Sequence, residues 1–248
     1  MAFAQEGCPC VAITDINAVK LEAMRLEILN NTGTDVTVLT AAGDISDERF
    51  VNALVKTIVE QTTRIDYLVN CAGVMGHSEI TTNTLASQFD RINDINYRGS
   101  WLVTRAVLRV MIQQAPLSET TANNAHKPPQ RGSIVNIAAQ FGLVGRPRST
   151  AYSASNAAII AMTKGDAIDY SPWGIRINCV CPGFIDTPMV RGNPAANSAL
   201  KPTIESKVPM RRIGLPEEVA WCVLFLCSNK ASFVQGASLP VDGGFTAM

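Results

Sequence analysis

Short runs of apolar, β-branched residues recur along the chain, separated by longer stretches in which apolar residues return every three or four positions. The short runs predict buried strands at 10–16, 35–41, 66–70, 132–137, 175–181 and 237–241. The longer stretches predict helices that begin near residue 17 and span 46–60, 85–114, 150–170 and 216–228. Strands that alternate with helices indicate right-handed crossovers, and therefore an α/β fold with a doubly wound parallel sheet.

Two segments follow neither pattern well. Residues 115–131 are polar and rich in proline, so we predict a surface loop inserted before the fourth strand. Residues 183–208 contain three prolines and show little periodicity. Neither segment reads as a linker and no internal repeat is present, so we interpret residues 1–248 as a single domain.

Charge and cysteine content limit the partners and the compartment. The 248 residues carry 21 basic and 21 acidic side chains, so no net field attracts nucleic acid or a membrane surface. No apolar run reaches the roughly 18 residues of a membrane span. The seven cysteines lie mostly in apolar runs without metal-ligand or disulfide spacing, which is typical of reduced thiols. We therefore predict a cytoplasmic protein.

Candidate chemistry concentrates at residues 132–156, where an apolar strand and a turn lead into a helix. Tyr152 lies near the start of that helix. The residue four positions later shares its face, because positions i and i+4 are neighbours on an α-helix. That residue is Asn156, an uncharged amide.

Tyr152, the strand sequence GSIVNI at 132–137 and the CPG sequence at 181–183 resemble the short-chain dehydrogenase/reductase family. The resemblance runs nearly end to end and implies a Rossmann-like fold. In that family a lysine follows the tyrosine by four residues, and a serine precedes it by thirteen. Here those positions hold Asn156 and Ala139, so the resemblance implies a divergent member without the catalytic serine and lysine.

The resemblance also implies a change at the front of the chain. Asp15 resembles the ribose-binding acid at the end of the family's second strand, yet only 14 residues precede it, with one glycine, Gly7. A strand, glycine-rich turn and helix need about 30 residues as part of a βαβ unit. We therefore predict an N-terminally truncated sheet that lacks the first strand and the glycine-rich loop. The gap either closes up or is filled by another segment or subunit.

The resemblance supplies the candidate site residues. The catalytic candidates are Tyr152, Asn96, Gln140 and Asn156, with Gln140 as a possible replacement for the missing serine. The cofactor-binding candidates are Asp15, Asp44, Ile45, Asn70, Ala72, Gly73, Pro182, Gly183 and Thr187. Residues 183–208 correspond to a substrate lid, and no metal site is expected.

Electrostatics guides the choice of function. A cation about 4 Å from a phenolate is worth roughly 4 kcal/mol at an effective dielectric near 20, or about three pKa units. Asn156 cannot supply that charge. The leading hypothesis is therefore a cofactor-independent enzyme that uses Tyr152 as acid or hydrogen-bond donor in cyclisation, isomerisation or dehydration. Its expected substrate is a hydrophobic small molecule of secondary metabolism, and no cofactor is favoured.

Two alternatives stay open. The first is an NAD-dependent oxidoreductase of alcohols or ketones, with NAD(H) preferred because of Asp15. The second is a catalytically silent member of the family. In each case the resemblance implies a homodimer or homotetramer formed through the helices at 85–114 and 150–170.

Overall fold

The computed structural model describes residues 1–32, 36–117, 130–191 and 194–248, and the side chains of 194–200 are not included. The strands are β1 Cys10–Asp15, β2 Thr37–Ala42, β3 Tyr67–Asn70, β4 Gly132–Ile137, β5 Ile175–Pro182 and β6 Ser238–Val241. The helices are α1 Ala2–Gln5, α2 Ala18–Thr32, α3 Glu48–Thr62, α4 Ala86–Asn93, α5 Ser100–Met111, α6 Thr150–Tyr170, α7 Pro188–Arg191, α8 Pro194–Lys207 and α9 Pro216–Cys227. A π-helical segment, Asp94–Gly99, joins α4 to α5.

The predicted parallel α/β architecture is confirmed. Every strand pair is parallel, in the orders β1-β2 and β3-β4-β5-β6. Helices cover both faces of the four-stranded sheet. On one face Ile134, Ile175 and Ile177 pack against α3 and α5. On the other face Val135 and Val180 pack against α9.

The sheet is divided into two parts, and it does not close up. In the part of the chain that the structure describes, β1 pairs with β2 and β3 pairs with β4, but β1 and β3 do not pair with each other. Ala12 and Thr14 in β1 are exposed, whereas β5 is buried along nearly its whole length. Two free strand edges therefore belong to β1 and β3.

Helix α1 connects the cores of the two parts. Its Phe3 ring lies 5.8 Å from the ring of Tyr67 on β3 and packs against the α9 side of the larger sheet. Its Ala4 packs against Ile28 and Val36 in the smaller part. A helix offers no strand edge, so α1 holds the parts together through side chains alone.

Two expectations about elements change, and a third is mostly untested. The long helix predicted at 85–114 contains a π-helical segment in its middle. Residues 183–208 contain α7 and α8, which the weak periodicity did not predict. Most of the predicted loop at 115–131 lies outside the described residues. Within the described ranges, no helix is both long and apolar enough to span a bilayer.

Candidate functional site

Tyr152 and Asn156 lie in the first two turns of α6. The Asn156 amide donates a hydrogen bond to the backbone carbonyl of Tyr152 at 2.8 Å, and its side chain is buried. Gly142, in the short helix Gln140–Gly142 that follows β4, lies directly against this turn. A Cβ at Gly142 would stand 2.8 Å from the carbonyl carbon of Asn156, so only glycine permits this approach. The end of β4 is thereby fixed against the tyrosine helix.

Burial sets the protonation state of Tyr152. Desolvation raises the pKa of its phenol above the ordinary value of 10.0, and the positive charge of Arg146 and the Asn156 side chain lower it by less. The phenol is therefore neutral at physiological pH. In that state it can donate a hydrogen bond or a proton to an oxygen in the cleft.

Ala139 and Gln140 follow β4, on the same edge of the sheet. Ala139 is buried and adds only a methyl group to the site. Gln140 is 1% exposed, and neither its amide nitrogen nor its amide oxygen has a hydrogen-bond partner among the described residues. Its oxygen lies beside Gly183, where an added Cβ would be 3.0 Å away. Burying an amide N–H or C=O group without a hydrogen bond costs about 1–3 kcal/mol of folding free energy. A bound molecule that forms hydrogen bonds with Gln140 removes that cost.

Asn96 lies in the π-helical segment and holds the loop after β3. Its amide oxygen accepts from the Val74 N–H at 2.7 Å, and its amide nitrogen donates to the Val74 carbonyl at 2.9 Å. The same nitrogen donates to Ser155 Oγ at 3.1 Å, and Ser155 Oγ donates to the Tyr152 carbonyl at 2.9 Å. The Asn96 amide is thus a clamp between the β3 loop and α6.

The candidates for the adenosine end lie at the carboxyl ends of β1 and β2. Asp15 is exposed, and one carboxylate oxygen accepts from the Asn17 N–H at 2.7 Å. One oxygen of Asp44 accepts from both the N–H and the hydroxyl of Ser46 at 2.8 Å. Ile45 is buried in the main core. Each carboxylate keeps a second oxygen with no hydrogen bond to the described residues.

The remaining candidates lie at the ends of β3 and β5. The Asn70 amide is used inside the fold, where it donates to Thr104 and Asn136 at 2.8 Å. Ala72 is exposed, while Gly73, Pro182, Gly183 and Thr187 are partly exposed. Gly73 and Gly183 approach Asn96 and Gln140 respectively. The cofactor candidates thus lie at or after the carboxyl ends of their own strands, with the Asn70 and Ile45 side chains turned into the core.

Sequence reasoning missed two residues of this site. Arg146 acts on the Tyr152 phenol, and Ser155 links Asn96 to the Tyr152 backbone. The signal for Ser155 was available, since it lies one turn after Tyr152 on the predicted helix.

The structure also contains a cavity of about 320 Å³, which is lined by Phe184, Val208, Met210 and Asp242 but not by Tyr152.

The strands are parallel, and candidate side chains follow their carboxyl ends. This arrangement is typical of a Rossmann-like protein. The model of a family described as Enoyl-(Acyl carrier protein) reductase matches residues 1–246. The short-chain dehydrogenase fogB of Aspergillus ruber is 39% identical over 249 residues, which cover 99% of this chain and 90% of that protein. The chain belongs to the short-chain dehydrogenase/reductase family.

Two solved structures agree with this assignment. The structure of levodione reductase has a TM-score of 0.85 and 33% identity, and the match covers 95% of this chain and 87% of that one. The structure of NAD⁺-bound xylitol dehydrogenase has a TM-score of 0.81 and 30% identity, covering 95% and 88%. These matches span nearly the whole chain and do not confirm the predicted N-terminal truncation.

The comparisons correct the predicted function. The hypothesis of a cofactor-independent cyclase, isomerase or dehydratase is wrong, because the relatives are named as dehydrogenases and reductases. The preference for no cofactor is also wrong, since a similar structure holds NAD⁺. The electrostatic argument was insufficient, because a buried phenol stays neutral and can donate a hydrogen bond whether or not residue 156 carries a charge.

Proposed function

We propose that the protein is an NAD(H)-dependent oxidoreductase that interconverts an alcohol and a ketone on a hydrophobic small molecule. The single observation that supports this most is the buried, neutral phenol of Tyr152 at the carboxyl edge of the sheet, in a chain whose relatives are named as dehydrogenases and reductases. A neutral phenol is the form that protonates a developing alkoxide. The chemistry of the site therefore favours ketone reduction near neutral pH.

We further infer that the chain is a divergent member of its family. Ala139 and Asn156 stand where the resemblance implies a serine and a lysine. With Ala139 the substrate oxygen loses one orienting hydroxyl, and the Gln140 amide is the nearest unpaired polar group in sequence. With Asn156 the phenol loses a cation on its own helix. Both changes slow proton transfer without abolishing it.

The described residues fit NAD(H) at its two ends. The Asp15 carboxylate at the end of β1 suits a ribose hydroxyl and repels a 2′-phosphate, which favours NAD(H) over NADP(H). Gly183 and Gln140 form a cradle with an unpaired amide for the nicotinamide end. Residues 1–32 hold one glycine, Gly7, so the fit does not rest on a glycine-rich turn.

The chain's own residues have separate roles in this proposal. When bound, the reduced nicotinamide supplies a hydride to the carbonyl carbon. Tyr152 holds the carbonyl oxygen by a hydrogen bond and donates its proton there as the C=O π bond breaks. Asn96 and Ser155 keep the β3 loop and α6 at a fixed separation, so the phenol stays aimed at the cleft. The segment with α7 and α8 is proposed to cover the substrate.

The test is NADH oxidation in the presence of a panel of cyclic and aromatic ketones, with NADPH in parallel. We expect turnover with NADH and a loss of at least about 100-fold in Tyr152→Phe, as for removal of a general acid. Tyr170→Phe, at the other end of α6, is the matched control and keeps activity within about twofold. If the wild-type protein neither binds NADH nor consumes it with any ketone, the proposal fails.

We also infer a homodimer or homotetramer through α4, α5 and α6. Exposed apolar side chains support it, namely Phe89, Trp101 and Ile168 on these helices and Leu85 at the N-cap of α4. Light scattering of the purified protein tests this inference, and a monomer at micromolar concentration would contradict it. Trp101→Glu is expected to shift the assembly towards monomers.

A further inference from the structure

We propose that Arg146 supplies the positive charge for proton transfer at Tyr152, a charge that position 156 does not provide. Arg146 is a positioning residue in this account, because it acts on the substrate only through the phenol. The inference rests on the proposed reduction for its catalytic meaning. The electrostatic contact itself belongs to the protein alone and can be measured without any substrate.

A rigid aromatic platform fixes the place of Arg146. Its guanidinium carbon lies 5.0 Å from the centre of the Phe141 ring. Phe141 is buried and meets Phe184 and Phe245 edge to face, with ring centres 5.9 and 5.8 Å away. An arginine over an aromatic face in this range gains about 0.5–2 kcal/mol. The guanidinium thus lies over a ring that is itself packed against two other rings.

The platform is locked to the tyrosine helix. Phe141 and Gly142 belong to the same short helix, and Gly142 lies against the backbone of Asn156. Asn156 is one turn beyond Tyr152 and is bonded to its carbonyl. Arg146 therefore lies on a segment that packs, through Phe141 and Gly142, against the turn of α6 that carries Tyr152 and Asn156.

The guanidinium is not neutralised by an acidic partner. It makes no ion pair and no hydrogen bond with residues 1–32, 36–117, 130–191 or the described part of 194–248. Its charge lowers the pKa of the Tyr152 phenol, against the larger effect of burial. Other charged groups on the elements packed against α6, namely Asp90 and Arg91 on α4 and Asp94 and Arg98 in the π-helical segment, are not among the causes of that shift.

The chemistry needs a cation here. In the reduction, the carbonyl carbon gains a hydride and its oxygen gains the Tyr152 proton, so the O–H bond of the phenol breaks and a phenolate remains. The phenolate later recovers a proton from water. Arginine stays charged throughout, since it does not deprotonate in proteins. Arg146 therefore stabilises the phenolate during every turnover.

The test measures the ionisation of Tyr152 directly in the ligand-free protein. Fluorotyrosine labelling lowers the intrinsic phenol pKa into a range that the folded protein tolerates, and ¹⁹F spectra report each ring. The chain has four tyrosines, and Tyr152→Phe identifies the relevant signal. We expect Arg146→Gln to raise the Tyr152 pKa by on the order of one unit, as for a unit charge several ångströms away. Arg146→Lys should retain most of the effect.

Arg148→Gln is the matched control. Arg148 lies in the same turn and carries the same charge, but it has no ring contact and no hydrogen bond among the described residues. It should leave the Tyr152 pKa within about 0.3 units, since a solvated charge is screened. Phe141→Leu, which removes the ring beneath the guanidinium, should shift the pKa in the same direction as Arg146→Gln. Equal pKa values in Arg146→Gln, Arg148→Gln and wild type would overturn the inference.

Activity separates this inference from the proposed function. If the protein reduces ketones, Arg146→Gln should lower kcat about tenfold and leave KM for NADH unchanged, because the cation acts on proton transfer. If no redox turnover is found but the Tyr152 pKa moves as expected, the proposed function fails while the electrostatic role of Arg146 stands.

Discussion

The side chain at position 156 is one of the groups that affect the ionisation of the Tyr152 phenol, and in this chain it lowers the phenol pKa by less than burial raises it. Asn156→Lys would place an ammonium one helical turn from the phenol, and Ala139→Ser would restore a hydroxyl at the end of β4. Because a nearby cation is worth up to about three pKa units, we predict that the double variant reduces ketones about 10- to 100-fold faster near pH 7.

The rate constants of the two single variants and the double variant measure this effect. Ala139→Ser alone is the control for the hydroxyl, and a gain below about fivefold is expected from it. A double variant no faster than wild type would mean that residue 156 does not face the phenol.

The pH dependence follows from the direction of the Tyr152 pKa shift. Burial raises the folded-state pKa above 10.0, and Arg146 and Asn156 offset this only in part. The neutral phenol is therefore the form present at pH 6–9, so we predict a flat profile for ketone reduction in that range and a decline only above pH 10. Alcohol oxidation needs the phenolate and should rise continuously with pH.

The raised pKa of Tyr152 also affects the free energy of unfolding. An acid whose pKa is raised in the folded state stabilises the protein at pH values below its ordinary pKa near 10. That contribution is lost as the pH rises through the pKa of the folded state.

Initial rates from pH 6 to 11 test the predicted pH profile of ketone reduction, with Tyr170→Phe as control. A reduction rate that falls with a midpoint near 7 would contradict it.

At the scale of residues, the sequence indicated which side chains are candidates for the site, but not which groups those side chains contact. Tyr152 and Asn156 are one turn apart on α6, as the helical spacing predicts, and Gln140 begins the short helix that follows β4; their catalytic roles stay predictions. The sequence did not predict that the Asn70 amide is used inside the core. It also did not predict the effect of Arg146, because that contact passes through an aromatic ring five residues earlier and depends on tertiary packing.

At the scale of elements, periodicity predicted all six strands within about three residues of their observed ends, because each strand is a short apolar run. The π-helical segment within residues 85–114 was missed because its apolar pattern continues that of α4 and α5. Its function becomes visible only in three dimensions, where the wider turn brings Asn96 to the backbone of Val74.

The end of α9 depends on one buried arginine of β5. Arg176 is 5% exposed, and its guanidinium donates to the carbonyls of Leu226, Cys227 and Ser228 at 2.5, 3.0 and 3.0 Å. These carbonyls at the helix end have no intrahelical partners. We predict that Arg176→Leu lowers the free energy of unfolding by about 2–4 kcal/mol, since the Cys227 carbonyl loses its donor, while the Leu226 and Ser228 carbonyls keep only Ser133 Oγ and the Ala231 N–H.

Urea denaturation measures the effect of Arg176→Leu. Arg109→Leu is the control, because Arg109 is exposed on α5 and the same change should cost under about 0.5 kcal/mol there. Equal midpoints for the two variants would show that the α9 carbonyls find other donors.

At the scale of the whole molecule, the division of the sheet is the feature that sequence patterns could not decide. Apolar runs show that β1 and β3 are strands, but they do not show whether the two strands touch. The directions of the backbone N–H and C=O groups show which residues of β1 and β3 face the open side. The carbonyl of Asp15 accepts from Gly43 beyond β2, and the carbonyl of Asp66 is bonded to Ser133 on β4. Since backbone groups alternate in direction along a strand, Ala12 and Thr14 in β1, with Tyr67 and Val69 in β3, point their N–H groups to the open side.

Hydrogen exchange of these amides reports whether the open side is filled in solution. We predict that the N–H groups of Ala12, Thr14 and Val69 exchange within minutes at neutral pH, because they have no acceptor among the described residues and point to the open side of their strands. The Val135 amide of β4, which has strands on both sides, is the internal reference and should be protected as strongly as global unfolding allows. Strong protection of Ala12 and Val69 together would mean that another strand, from a second subunit or a further segment, pairs with both edges. Protection that grows with protein concentration would assign that strand to a second subunit, because only an intermolecular contact depends on concentration.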